Sequence, residues 1–179
     1  RISPAVEPLP PDALAAGPAA AGGHRPILLT RPTSLPDSVA WAYEGGGFEH
    51  TIIVGGTTAV SATVQQQVDS WSVAPSERWD GADRYATAAR VAEESWGRRW
   101  LDFDMIGIAT GENFPDALGG GAACGYYGSP LLLTRNASVP TGLSDFLTDH
   151  EYAIGRGDIF GGADVVSEGV RTTIRGMLE

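Results

Sequence analysis

The sequence predicts an α/β protein built from two tandem three-layer units with parallel sheets, the first of them incomplete. Three observations carry that reading. Segments recur in order at a nearly fixed spacing. Short apolar runs alternate with amphipathic helical patterns. The runs are continuously apolar instead of alternating, which is the pattern of strands buried on both faces.

The recurrence comes first because it sets the frame for everything else. Pro11-Asp12-Ala13-Leu14 returns as Pro115-Asp116-Ala117-Leu118, a spacing of 104. Pro26-Ile27-Leu28-Leu29-Thr30-Arg31 returns as Pro130-Leu131-Leu132-Leu133-Thr134-Arg135 at the same spacing. Val54-Gly55-Gly56-Thr57 matches Phe160-Gly161-Gly162-Ala163 at 106, so two residues were inserted between. The periodic apolar positions follow: Val39, Ala42 and Tyr43 answer Leu143, Phe146 and Leu147, and Val60, Val64, Val68 and Trp71 answer Val166, Val170, Ile174 and Met177.

The second copy reads as a complete unit. Tyr85, Ala88, Ala89, Ala92 and Trp96 fall at helical spacing over residues 83–97, and Gly97 ends the helix. A strand is expected over 104–109, a turn over 110–113, a helix over about 114–124 and a second strand over 131–134. Leu143, Phe146, Leu147 and His150 mark another helix, 158–161 a third strand and 166–177 the closing helix. Strands alternating with helices in this way form a Rossmann-like layered unit.

The first copy supplies the later part of the same pattern. It predicts a helix near Asp12, a strand over 27–30, a helix over 39–43, a strand over 51–54 and a helix over 60–71. Arg1-Ile2-Ser3 echoes Arg78-Trp79-Asp80, but Pro4, Pro8, Pro10 and Pro11 stand where the first helix and strand belong. That strand is the central one in a sheet of order 2-1-3, and its loss leaves backbone groups without partners. The first copy (residues 1–77) is therefore expected to be less stable than the second (78–179), or to be completed by another chain. Residues 1–22, rich in Pro and Ala, could pass for a linker, but the repeat argues against that.

Composition narrows the function. The 179 residues, 42 % hydrophobic, are enough for real cores, and no run approaches the roughly 18 to 20 apolar residues of a membrane span. The formal charge of −10, from 22 acids and 12 bases, repels polyanions at long range and argues against nucleic acid or an anionic membrane as a bulk partner. Every base is arginine. That reads first as a GC-rich genome of the actinobacterial kind, and second as a preference for bidentate carboxylate or phosphate contacts. Cys124 is the lone cysteine, which excludes an internal disulfide and a cysteine-based metal site. Without an initial Met or a charged apolar leader, the chain is expected to be a processed or excised piece.

Four motifs in order resemble the second type of cell-wall-binding repeat found in Gram-positive surface proteins. They are Arg78-Trp79-Asp80-Gly81-Ala82-Asp83-Arg84-Tyr85-Ala86-Thr87-Ala88, Ala109-Thr110-Gly111-Glu112-Asn113-Phe114-Pro115-Asp116-Ala117-Leu118, Pro130-Leu131-Leu132-Leu133-Thr134 and Phe160-Gly161-Gly162-Ala163 with Val165-Val166-Ser167. The last recurs as Val54-Gly55-Gly56-Thr57 with Ala59-Val60-Ser61. The resemblance implies a secreted, non-catalytic module, usually of three repeats packed as a disc. Such a module holds a protein to the cell wall through an anionic secondary polymer or a peptidoglycan-associated glycan. It also implies docking of further repeats in cis or trans, and no cofactor. The chain departs from the pattern in having fewer than two full repeats, and in placing Leu9 and Pro10 where the second copy has Asn113 and Phe114.

Each motif also has a purely structural explanation. Asn113-Phe114-Pro115-Asp116 starts a helix: Asn as N-cap, Pro in the first turn, Asp at the positive end. Alternatively Thr110 to Asn113 presents free N–H groups to an anion or a sugar hydroxyl. Asp83-Arg84-Tyr85 is an N-cap, an arginine tied to a carboxylate and a core tyrosine. Arg84 could instead join Arg31 and Arg135, beside Thr30 and Thr134, in a basic cluster for an anionic polymer. Leu132 belongs to a core strand, and in the resembling family a similar motif near the repeat interfaces is linked to ligand binding. Asp12, Asp116, Gly55, Gly56, Gly161 and Gly162 are read as structural. Gly119-Gly120-Gly121 lies inside a helix with no Gly-Lys-Ser/Thr after it, so it reads as close packing, not as a nucleotide loop. His24, His50 and His150 share no context, and no catalytic or metal-binding signature is found.

Overall fold

A computed structural model describes residues 11–179. The expectations placed on residues 1–10, including the echo of Arg1-Ile2-Ser3 and the departure at Leu9 and Pro10, lie outside the described residues.

The second copy folds as the alternation predicts. Helix α4 (Arg84–Gly97) leads into strand β3 (Met105–Thr110), then α5 (Phe114–Tyr127), β4 (Leu131–Thr134), α6 (Thr141–Asp149), β5 (Arg156–Phe160) and α7 (Glu168–Met177). The three strands are parallel in the order β4-β3-β5, with Ile108 paired to Leu132 on one edge and to Ile159 on the other. All six residues of β3 and all four of β4 are buried. One core packs α4, α6 and α7 on Ile106, Ile108 and Leu132; the other packs α5 on Met105, Ala109, Leu131 and Leu133. Two glycines allow the second contact to be close. A Cβ on Gly107 would drive into Cys124 Sγ, and one on Gly120 would lie 2.7 Å from the Phe160 ring. Gly120 is thus a packing residue, as the helix-internal reading of Gly119-Gly120-Gly121 requires.

The first copy contributes α1 (Pro11–Gly22), α2 (Asp37–Gly46), β1 (Ile52–Val54) and α3 (Ala62–Trp71). Two expectations change here. Residues 27–30 are not a strand, although their counterparts form β4. A strand needs a ladder to join, and among the described residues nothing occupies the place beside them that β3 takes in the second copy. Ile27, Leu28 and Leu29 are consequently 46 %, 37 % and 47 % exposed, where Leu131, Leu132 and Leu133 are at most 1 % exposed. The second change is a strand missed in the sequence, β2 (Glu77–Trp79), which pairs in parallel with β1: Ile53 faces Arg78 and Val54 faces Trp79. Three residues between a loop and a glycine-rich turn carry too little periodicity to be read as a strand. Smaller differences concern ends. The two closing helices begin after Ser61 and Ser167, whose hydroxyls accept the backbone N–H of Val64 and Val170, a capping bond that fixes the start. Helix α5 runs on to Tyr127, and β5 begins at Arg156.

The copies are joined by small-residue packing. Helix α1 lies on α4 and α5, with Gly121 facing the Leu14 carbonyl and Gly125 facing Ala21. On the other side Trp79, 1 % exposed, clusters with Ala19, Val91 and Leu101. Strand β2 thus begins the second copy while bonding to the sheet of the first. Overpacking a site of this kind costs about 1 to 3 kcal/mol. Gly107→Ala is therefore expected to lower the unfolding free energy by that amount, seen as a lower urea midpoint at unchanged slope, whereas Gly97→Ala, which meets open space at the end of α4, does not lower it.

Candidate functional site

The candidate residues gather at the carboxyl ends of the second copy's strands. Asp83 caps α4, its carboxylate accepting the N–H groups of Tyr85 and Ala86 at 3.0 Å each. Tyr85 is buried and offers a ring face to Arg135, whose guanidinium lies 4.8 Å from the centroid and 3.6 Å from the Asp83 carboxylate. Arg84 donates to the carbonyl of Gly111 at 2.6 Å. The Gly111 N–H bonds Thr134 in turn, and Glu112 accepts the Asn136 N–H at 3.1 Å. Two arginines therefore sit together, each already in contact with an acid or a carbonyl.

Thr110 and Thr134 are buried, and their hydroxyls are turned inward. Thr110 accepts the N–H of Glu112 at 3.2 Å, while Thr134 donates to the carbonyls of Arg135 and Ser138. Neither reaches an outside ligand without opening its loop. Thr30 makes the same turn, donating to the carbonyls of Arg31 and Ser34 at 3.1 and 3.0 Å. Arg31 is exposed, and among the described residues no side-chain bond joins it to Arg84 or Arg135. Leu132 is buried between β3 and the α4–α6–α7 layer.

The helix start at Asn113 differs from expectation. Asn113 occupies the N-cap position with extended torsions, but its side chain makes no capping bond. Pro115, at the second helical residue, has removed one of the two N–H donors such a side chain reaches. Asp116 follows in the same first turn. Its carboxylate lies against the turn after β5, where Gly161 holds φ +108° and a Cβ would come within 2.8 Å of Oδ2. The first copy repeats this closely: Gly55 holds φ +105° and a Cβ there would lie 2.8 Å from Asp12 Oδ2. Only glycine tolerates both the torsion and the approach. In open α/β sheets this crevice, outside the carboxyl ends of the strands where the strand order reverses, is the usual ligand position. Here an internal carboxylate takes it.

Sequence reasoning missed two arginines at the same place. Arg78 donates to the carbonyls of Gly55 and Val60 at 2.6 and 3.0 Å and to Gln65 at 2.8 Å. Arg171 does the equivalent in the second copy, reaching the carbonyls of Val166 and Gly161. Gln65 and Arg171 are counterparts at a spacing of 106, so one copy supplies the cation from its own helix and the other takes it from β2. That exchange of Gln for Arg was the available signal. Among the described residues no three His, Cys, Asp or Glu side chains converge on a metal position.

Fold and site together define a tandem-repeat α/β module whose two glycine turns are closed by the same acid and cation. The family described as cell wall binding domain 2 matches residues 3–65 and 78–171. The chain belongs to that family; it is a cell-wall-binding, surface-associated protein. It is similar to the N-acetylmuramoyl-L-alanine amidase LytC of Bacillus subtilis, 29 % identical over 131 residues covering 73 % of this chain and 25 % of that protein. An amidase enhancer of the same organism is 30 % identical over 138 residues, 77 % of this chain and 18 % of that one. Among solved structures, Cwp6 from Clostridium difficile superposes with a TM-score of 0.80 at 26 % identity, covering 93 % of this chain and 26 % of Cwp6. Cwp8 from the same organism gives 0.73 at 25 % identity, with 93 % and 27 % covered. The chain thus spans about a quarter or less of each of these relatives.

Burial raises the Asp12 carboxyl above the ordinary carboxylate range, with Arg84 opposing the shift. The folded chain then holds this proton to higher pH than the unfolded chain does. Between the unfolded and the raised folded value, stability falls as pH increases. Asp12→Asn is expected to flatten that part of a pH–stability curve measured by urea unfolding. A curve unchanged by the substitution would contradict the assignment.

Proposed function

We propose that the chain is a non-catalytic anchor that ties a secreted protein to the Gram-positive envelope through an anionic secondary wall polymer or a peptidoglycan-associated glycan. The observation that carries this reading is that both copies match one wall-binding family over their shared motifs. The copies divide as an incomplete first repeat over residues 1–77 and a complete second over 78–179, with β2 shared across the division. The Bacillus and Clostridium relatives support a Gram-positive envelope; an actinobacterial source rests on the arginine-only composition alone.

The absence of catalysis is supported by what the polar groups at the strand ends already do. Thr110, Thr134, Arg84 and Asp116 are committed to the loops they hold. The amidase among the relatives is about four times longer than the region it shares with this chain, so its name covers more than the shared part. Contact with the polymer falls to exposed groups: Arg135, which is half exposed above Tyr85, with Arg31 and Asn113. A guanidinium on an aromatic face presents its donors to phosphate or carboxylate in a fixed fork. A charge-driven contact of this kind is screened beyond about 8 Å at physiological salt.

A second reading is a self-assembly module whose faces dock with further repeats or other chains. It is favoured by the exposed apolar residues Phe114, Leu118 and Tyr126 along α5 and by the outer edge of β5, which among the described residues no strand joins.

Sedimentation with purified walls separates the two. The chain is expected to pellet with intact walls, to stay in solution with walls stripped of secondary polymer, and to be released by salt. Arg31→Ala with Arg135→Ala is expected to weaken retention several-fold without shifting the unfolding midpoint. Equal retention on both wall preparations, or on neither, would contradict the polymer reading.

A further inference from the structure

We infer that the chain carries a second anion site, at the opposite end of the sheet from Arg135: His24, Arg25 and Arg99, gathered around Trp100, take a phosphate group. The site is argued from its own geometry and does not depend on the wall-polymer reading.

Two helix ends build it. Helix α1 closes with the His24 N–H on the Ala21 carbonyl and the Arg25 N–H on the Ala20 carbonyl, at 3.2 and 2.8 Å. Helix α4 closes in the same way, with the Arg99 N–H on Trp96 and the Trp100 N–H on Ser95, both at 2.9 Å. This paired closure puts one residue in the left-handed region, where glycine is the usual choice because a Cβ is disfavoured. Here those residues are His24, at φ +52°, and Arg99, at φ +59°, the only two non-glycine residues of positive φ among the described residues. The second copy uses glycine at the matching place. Gly128, the counterpart of His24 at a spacing of 104, ends α5 with φ +68°, and Ser129 stands for Arg25. The first copy thus has His-Arg where its twin has Gly-Ser, and keeps the backbone strain that comes with it. Such strain, held at an exposed position, points to a use for the side chain.

The two ends meet at Trp100. A Cβ on Gly22 would strike the Trp100 carbonyl, and one on Gly23 would lie 3.0 Å from the Trp100 ring. Across this contact the exposed Arg25 lays its guanidinium 4.8 Å from the Trp100 centroid, as Arg135 does on Tyr85. Arg99, also exposed, precedes Trp100 in the chain. The helix dipole favours cations at a carboxyl end, but any residue of the last turn would serve it, so the dipole does not explain cations at the left-handed positions. Neighbouring acids are engaged elsewhere. Arg98 holds Glu77 through two bonds of 2.7 Å and also holds Glu94, and the Asp102 carboxylate accepts the Asp104 N–H at 3.2 Å. Among the described residues no carboxylate pairs with His24, Arg25 or Arg99. One guanidinium fork satisfies a carboxylate, whereas a phosphate offers oxygens to donors arriving from two segments. Donors on two helix ends therefore select phosphate.

The test titrates inorganic phosphate and a glycerol-phosphate oligomer into the full chain at constant ionic strength, with acetate as the carboxylate control. Both phosphate probes should bind, and acetate should not. Tighter binding of the oligomer assigns the phosphate to a polymer, and equal binding assigns it to the free ion. The chain carrying Arg31→Ala and Arg135→Ala, which lacks the wall contact proposed above, should still bind inorganic phosphate, so failure of that reading and failure of this one are told apart. On that background Arg99→Gly, which restores the usual residue, should weaken both phosphate probes about tenfold, the loss of one charge-assisted contact. Its urea midpoint should hold or rise. Arg25→Gln should weaken both probes likewise. Phosphate bound no more tightly than acetate, or binding unmoved by Arg99→Gly and Arg25→Gln, overturns the inference. A midpoint lowered by Arg99→Gly with binding intact would show that the arginine serves the helix alone, and overturns it too.

Discussion

Strand β3 is the constraint on which the second repeat depends. It bonds to β4 and β5, carries the Gly107 that lets α5 approach, and ends at Thr110 and Gly111, where Arg84 and Thr134 fasten the strand-end loops. Remove such a strand and its two neighbours lose a ladder each. In the first repeat, residues 27–30 keep the sequence of a strand and the turn that follows one, yet among the described residues they join no sheet.

What holds the first repeat in place is borrowed from the second. Helix α1 packs its alanines against α4 and α5, and β2 bonds to β1 while burying Trp79 beneath α4. Arg78, carried on β2, ties down the glycine turn that Arg171 ties down in the other repeat. The repeats therefore share an element instead of meeting at a plain surface. Removing Arg78 or Trp79 acts on both, because each sits at the junction. The groups that this network does not consume include the exposed Arg31 and Arg135, half exposed on its tyrosine platform; the proposed wall contact rests on them.

Much of this was legible in the sequence. The paired motifs located the helices, the buried strands and the two glycine turns, and their order pointed to the family. Four things were not legible, each for a physical reason. A run such as Pro26-Ile27-Leu28-Leu29-Thr30 has strand chemistry whether or not a neighbouring strand exists, so pattern alone could not show its exposure. Residues 77–79 are too short to display a period. Thr110 and Thr134 have the chemistry of ligand-binding residues, but their burial depends on loops whose closure by Arg84 and Glu112 is a matter of three-dimensional placement. Asn113 likewise stands at an N-cap by sequence, and Pro115 two residues on removes one donor it would have bonded.

The most direct test of this account is native-state amide hydrogen exchange on the chain alone, comparing the strand counterparts of the two repeats under increasing urea. Amides of residues 107–110 and 131–134 should open only with global unfolding, because they are bonded within a buried three-stranded sheet. Amides of residues 27–30 should exchange without denaturant dependence, and those of β1 and β2 through a smaller opening. Equal protection at residues 27–30 and 131–134 would show that the first repeat has a complete sheet, and would contradict the account.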